Sequence, residues 1–323
     1  MALNWIARGL AGVAALAAAS AAQAQTYPTK NVRVLVPFAA AGPTDVIARL
    51  IGQKLGGLYG HQLYIENVPG AGGNTGTAQA AKAPADGYTL LVISTGFMVN
   101  PSLYAKVPYD PVQEFAPITL IAASPNVLVV HPDVPAKSVK ELIALIKASP
   151  GKYSYAQPAL GSTPHLGGEL FRLIYKLDLV HVPFTGAAPA VQSTVGGHTP
   201  IAFTALPSSL AAIQAGQVRA IGIAATGRAQ QVPDVPTFAE QGVNDQDADT
   251  LTGIVAPAGT PKEIVDLLYR QIAKIVAQPD VKERLTVLGF KPVANTPDQF
   301  GARIRLEMDK WGKVVREANI KLG

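Results

Sequence analysis

The chain has 323 residues, 48% hydrophobic and 15% charged, with 27 basic against 22 acidic side chains and a net charge of +5. Those proportions exclude disorder for the bulk of the chain and allow one large or two medium domains around a well-buried core. With no cysteine, disulfides, iron–sulfur clusters, thiolate zinc sites and cysteine nucleophiles are excluded too.

Residues 1–24 have the pattern of a secretory signal peptide. Arg8 is their only charge, Gly9 to Ala22 is small and apolar, and Ala22-Gln23-Ala24 offers a small-x-small cleavage site. The stretch is too short for a membrane anchor and lacks a stop-transfer flank. Cleavage would leave Gln25 first, with no cysteine for lipid attachment, so an exported, soluble mature chain is expected. No later apolar run is long enough to span a bilayer.

Short β-branched runs then recur at Val32–Val36, Leu63–Glu66, Thr89–Ile93, Val127–His131, Val180–Val182, Ile201–Phe203, Arg219–Ala224 and Gly253–Ala256. Helical stretches with readable starts lie between them. Ser138-Val139-Lys140-Glu141, Thr260-Pro261-Lys262-Glu263 and Thr296-Pro297-Asp298-Gln299 are capping boxes, and Pro43 and Pro261 suit a first helical position. This alternation predicts an α/β protein with mostly parallel sheets. Pro-rich segments near Ala116–Pro125 and Gln231–Asp249 bracket a middle block with its own strands and helices. Read as crossovers, they give lobe 1 from 25–124 and 248–323, and lobe 2 from 125–247. A ligand cleft between the lobes would be lined by loops leaving the strands.

The chemistry inventory is thin for catalysis. None of the five histidines, His61, His131, His165, His181 and His198, sits in a metal-ligand spacing, so neither a metal nor a cofactor is expected. Ser162 and His165 open a helix, and a Ser/His hydrolase is the alternative reading, but G-x-S-x-G is absent. Gly70 to Gly76 lacks the third glycine of a dinucleotide fingerprint, and no phosphate-binding P-loop occurs. Lys310 to Lys321 mixes both signs of charge with apolar residues, which suits a solvated helix face and not a nucleic-acid patch. What remains is a set of strand-to-helix loops rich in small, hydroxyl and amide groups. Helix N-termini attract carboxylates without needing Arg or Lys.

Several ordered motifs carry a resemblance. V-P-F-x-x-x-G-x-T-D-x-x-A-R (Val36 to Arg49), E-N-V-P-G-A-G-G-N-x-G (Glu66 to Gly76) and A-D-G-Y-T-L-L (Ala85 to Leu91) are followed by N-P-S-L-Y (Asn100 to Tyr104). Then come G-S-x-P-H-L-x-G-E-L-F (Gly161 to Phe171), H-V-P-F-T-G-A-A-P-A (His181 to Ala190), P-D-V-P-T-F-A-E-Q-G (Pro233 to Gly242) and A-P-A-G-T-P-K-E-I (Ala256 to Ile264). From about Tyr27 to Ile320 the chain resembles the Bug-type periplasmic receptors of tripartite tricarboxylate transporters.

The resemblance implies a two-lobed Venus-flytrap fold, a periplasmic location, a monomer, no catalysis, and delivery of a small carboxylate to membrane permease subunits. It points to Phe38, Ala39, Ala41, Thr44, Ser94 and Thr95 in one lobe. In the other it points to Gly161, Ser162, Thr163, His165, Phe184, Thr185 and Gly186, with Phe203 and Thr204. Three departures stand out: Ala41 replaces the first of a usual glycine pair, Asp249-Thr250-Leu251-Thr252 lacks the usual Trp before the return strand, and Phe203-Thr204 replaces a usual Phe-Asp. Losing that carboxylate removes a partner for a ligand ammonium, so an amine-free dicarboxylate or aromatic acid is expected. Phe38, Phe97, Phe184 and Phe203 are candidate walls for an aromatic one.

Overall fold

The computed structural model describes residues 27–158, 161–243, 248–317 and 320; the signal segment lies outside them. Two mixed sheets form the skeleton. The first has strands β1 (Val32–Val36), β2 (Leu63–Asn67), β3 (Thr89–Ser94), β4 (Phe115–Ser124), β10 (Thr250–Pro257) and β11 (Lys291–Pro292), in the order β11-β4-β10-β3-β1-β2. The second has β5 (Asn126–Val130), β6 (Ser154–Gln157), β7 (Val180–Pro183), β8 (Ile201–Ala205) and β9 (Arg219–Ala224), in the order β7-β6-β8-β5-β9.

The sheets are less parallel than the alternation predicts. The pairs β1/β2, β1/β3, β6/β7 and β6/β8 are parallel. All pairs made by β10 and β5 are antiparallel, as is β11 with β4. The reason is topological. β5 and β10 are the strands that arrive from the other sheet, and each inserts against the direction of its new neighbours. A second correction concerns Ala116–Pro125, expected as a Pro-rich crossover: Phe115–Ser124 is a ten-residue strand, and only Pro125 separates it from β5.

That tight junction orients the lobes. β4 runs parallel to β1 and β3, and leads straight into β5, which runs against β6 and β8. The C-terminal ends of the parallel strands in both sheets therefore face one another. Every helix that follows such a strand starts at the lobe boundary: α1 (Pro43–Tyr59) after β1, α2 (Asn74–Ala81) after β2 and α3 (Gly96–Leu103) after β3. In lobe 2, which also holds α4 (Val139–Ala148), α5 (Thr163–Ile174) follows β6, α6 (Ala187–Val195) follows β7 and α7 (Leu206–Gln214) follows β8. Lobe 1 is completed by α8 (Lys262–Ala277), α9 (Pro279–Val287) and α10 (Pro297–Glu317).

The caps are partly as the sequence indicates. Ser138 accepts from the Glu141 amide at 3.2 Å, and Thr296 and Gln299 cap each other reciprocally. Pro261, however, is the N-cap of α8 and not its first helical residue, because the Thr260 hydroxyl turns back to the Pro257 carbonyl.

Both faces are covered at the central strands, which are apolar on both sides, while the edge strands β2 and β7 stay partly exposed. On β1, Val34 faces a core with Ile47, Ile51, Leu268 and Ile272, while Leu35 faces Leu91, Phe97, Phe115 and Phe300. On β5, Leu128 packs with Tyr155, Phe171 and Phe203, and Val127 packs on the opposite face with Leu206 and Leu210. One further apolar cluster joins the lobes: Leu166 of α5 packs with Val99 and Leu103 of α3 and with Trp311 and Val315 of α10. Among the described residues, no helix is long and apolar enough to cross a membrane.

Candidate functional site

The first cleft loop leaves β1 at Pro37 and enters α1 at Pro43. Phe38 is half-buried, Ala39 and Ala41 are exposed, and Thr44 is buried in the first turn of α1. A brace beneath the loop fixes it. Asp45 accepts from the Ala41 amide at 2.9 Å, from Arg49 Nε at 2.8 Å and from Asn67 Nδ2 at 2.9 Å. Asn67 Nδ2 also donates to the Phe38 carbonyl at 3.0 Å. Burial opposes ionisation of Asp45, yet the bonds from Arg49, Asn67 and Ala41 outweigh it and hold its pKa below the ordinary carboxylate value. Ala41 adopts a left-handed φ of 64°, a conformation that costs a non-glycine residue about 1–2 kcal/mol.

Ser94 and Thr95 follow at the end of β3, both buried. The Thr95 hydroxyl accepts from the Leu251 amide at 2.9 Å and lies 3.4 Å from the Asp249 carbonyl. It thus pins the returning crossover strand. Asn126 does the same from β5, donating to the Ala248 carbonyl and accepting from Thr250.

From lobe 2 come Gly161, Ser162, Thr163 and His165 at the N-terminus of α5. Ser162 is the N-cap, its hydroxyl accepting from the His165 amide at 3.4 Å. The imidazole does not engage that hydroxyl; its Nδ1 accepts from the Gly161 amide at 3.0 Å. Burial, aided by His181 and opposed by Glu169, lowers the His165 pKa to about 4. The ring is therefore neutral, protonated on Nε2, and serves to lock the turn at Gly161. The Ser/His hydrolase reading loses its pair to this arrangement.

The lobes touch at this point. Gly161 has φ 78°, and a Cβ on it would lie 2.6 Å from Asn100 Oδ1 of lobe 1. A Cβ on Gly96 would lie 3.2 Å from the Gly161 carbonyl oxygen. Asn100 is itself held by Gly72 and Asn74, to which its Nδ2 donates at 3.0 and 2.7 Å. Its Oδ1 is buried without a partner among the described residues, as are Gln157 Oε1 and Thr163 Oγ1. An unpartnered buried polar atom costs about 1–3 kcal/mol, so a polar guest or ordered water that reached any of these oxygens would be stabilised.

The remaining expected residues divide. Phe184 is half-buried, Thr185 exposed, and Gly186 caps α6 in an extended conformation. Phe203 is a correction: it is 1% exposed, with its ring 5.4 Å from Phe171 and 6.2 Å from Phe238, inside the lobe 2 core. Phe97 is likewise a core residue, stacked on Tyr109 at 5.5 Å. Alternation along β8 turns Thr204 to the opposite face from Phe203, and it too is fully buried. Asn67, Asn100 and Gln157 were not anticipated as site residues. For Asn67 and Gln157 the signal in the sequence is an amide at a strand end, which becomes meaningful only with the strand pairing; Asn100 lies inside α3 and carries no such signal.

Among the described residues no group of histidines and carboxylates could hold a metal ion. The family model of the tripartite tricarboxylate transporter family receptor matches residues 47–320. BugT of Bordetella pertussis is 36% identical over 312 residues, covering 96% of both chains. The periplasmic binding protein BugD superposes with a TM-score of 0.86 at 32% identity, over 91% of this chain and 99% of that one. Rpa4515 of R. palustris, solved with adipate, gives 0.87 at 33% identity over 91% and 99%. MatC of Rhodopseudomonas palustris, solved with malate, gives 0.83 at 33% identity over 90% and 100%. With two lobes, an uncharged cleft wall at α5 and these likenesses, the chain belongs to the Bug-type receptors of the tripartite tricarboxylate transporter family.

Proposed function

We propose that the chain captures an amine-free aliphatic dicarboxylate between its lobes and presents it to the permease subunits of a tripartite transporter, as an exported periplasmic monomer. One observation carries the reading. The N-termini of α1, α5 and α6 begin at the lobe boundary, and three buried oxygens without a partner among the described residues, Asn100 Oδ1, Gln157 Oε1 and Thr163 Oγ1, lie on α3, at the end of β6 and in the first turn of α5. Helix N-termini supply backbone donors and a favourable potential for a carboxylate. Ordered water can bridge that anion to acceptor oxygens such as those of Asn100 and Gln157.

The preference against amino acids rests on Thr204, which stands where the family's usual aspartate would meet an ammonium. The carboxylate of Asp45 is committed to Arg49 and Asn67. An aliphatic chain is favoured over an aromatic ring because Phe97 and Phe203 belong to the cores, leaving only Phe38 and Phe184 as walls. The adipate and malate held by the two neighbours are of this class. Lobe boundaries at 124/125 and 247/248 belong to the same reading, the first falling between β4 and β5 and the second ahead of β10. Closure is the signal to the permease: ligand contacts from both lobes favour the closed state.

A thermal-shift screen of residues 25–323 against succinate, adipate, malate, terephthalate and glutamate tests this. The aliphatic diacids should give the largest shifts. A larger shift with glutamate would sink the Thr204 argument, and one with terephthalate the aliphatic preference.

A further inference from the structure

A second space between the lobes lies on the other side of the crossovers. Pro125 and Asp249, from the two crossing segments, form its floor, and its volume is about 540 Å³. One wall is the segment 225–231 that follows β9. The other is the turn from α9 into β11, with Lys282 and Lys291. The Gln231 amide spans the two walls to the Thr286 carbonyl at 2.5 Å. Asp249 separates this crevice from the cleft, because its carbonyl meets the Thr95 hydroxyl on the cleft side.

We propose that this crevice binds a small polyvalent anion of the phosphate or pyrophosphate type, and that its occupancy holds the cleft shut. The lining carries three cations, Arg228, Lys282 and Lys291, against the single carboxylate of Asp249. Arg228 is already held by Glu240, both oxygens lying 2.9 Å from its Nε. Lys282 and Lys291 have no ion-pair partner among the described residues. Two unneutralised ammonium groups on one wall of a crevice favour a compact anion with several charges.

The coupling follows from the geometry. The lobes are in contact on the cleft side at Gly96 and Gly161, and on the far side Gln231 meets Thr286 and Gly289 packs near Pro207, with the crevice beside these contacts. Rotation about the crossovers that parts Gly96 from Gly161 strains or breaks these far-side contacts and so reshapes the crevice. An anion touching both walls therefore favours the closed state, and by linkage the anion and the cleft ligand raise each other's affinity by the same factor. The coupling rests on the closure described above, whereas binding of the anion does not.

Calorimetric titration of residues 25–323 with inorganic pyrophosphate, no carboxylate present, is the first measurement. Binding is expected, and Lys282→Gln/Lys291→Gln should weaken it about tenfold while leaving succinate affinity unchanged. Thr226→Trp, which fills the crevice from an exposed lining position without altering charge, should abolish pyrophosphate binding and tighten succinate. No binding at millimolar pyrophosphate, or binding indifferent to both variants, would overturn the site. Succinate affinity unmoved by saturating pyrophosphate would overturn the coupling. Failure of succinate to bind would strike the carboxylate reading alone, since the pyrophosphate titration stands without it.

Discussion

On the lobe 1 wall of the cleft, the loop before α1 is fixed by an ionised carboxylate; on the lobe 2 wall, the turn before α5 is fixed by an imidazole that burial keeps neutral. The difference reflects what each site can reach. Asp45 is 2% exposed, but its partner Arg49 is 53% exposed and keeps its charge hydrated. His165 is 2% exposed, and the carboxylate nearest to it in sequence, Glu169, is already shared by Tyr155 and Arg172. A protonated ring there would lack a dedicated counter-ion, so the fold uses the ring as a hydrogen-bond acceptor. Each wall is thereby held in place before any ligand arrives, which lowers the ordering cost of binding.

The sharpest way to break this comparison is at the point where the walls meet. Gly161→Ala adds a left-handed strain of about 1–2 kcal/mol and a Cβ against Asn100, with a packing cost of similar size. Cleft affinity should fall about 100-fold, and Asn100→Ala in the same chain should recover part of it by calorimetry. Unchanged affinity would mean that the contact plays no part in closure. Next in size is Asp45→Ala, which leaves Asn67 and the Ala41 amide without their acceptor. Urea unfolding should show a loss of about 2–3 kcal/mol.

The pH windows separate the two walls. The His165 pKa falls from 6.5 in the unfolded chain to about 4 in the folded protein, so the unfolded chain binds more protons between those values. Stability is then fully present above pH 6.5 and declines as pH drops toward 4, by about 2 kcal/mol at pH 5. His165→Asn, which keeps an acceptor for Gly161 but does not titrate, should flatten unfolding free energy across that window. Asp45 also has a lowered pKa, so its contribution persists above the unfolded value of 3.8 and is lost only as pH falls further, through the folded value. On acidification the lobe 2 wall loosens first. The smallest effect is Ala41→Gly, which relieves the left-handed φ and should stabilise by about 0.5–1 kcal/mol in thermal unfolding.

The strands are legible because short apolar, β-branched runs alternate with helices whose caps are explicit, so β1 and β9 match residue for residue. β4 was hidden by Pro117 and Pro125, although Pro117 sits at a register shift against β10 where a missing amide is tolerated. The cleft loops could be placed by the rule that they follow parallel strands. Which aromatics face the cleft could not, because both faces of the central strands are covered and alternation alone does not distinguish core from wall. The Asp45 brace was equally hidden: it depends on β2 pairing with β1 so that Asn67 lies opposite Val36.

The central claim is that two preorganised walls close on an amine-free carboxylate. Parallel calorimetric titrations of residues 25–323 with succinate and glutamate test it most directly. The account predicts that succinate binds at least about tenfold more tightly than glutamate. Tighter binding of glutamate, or binding of neither acid with unaltered behaviour in Gly161→Ala, would contradict it.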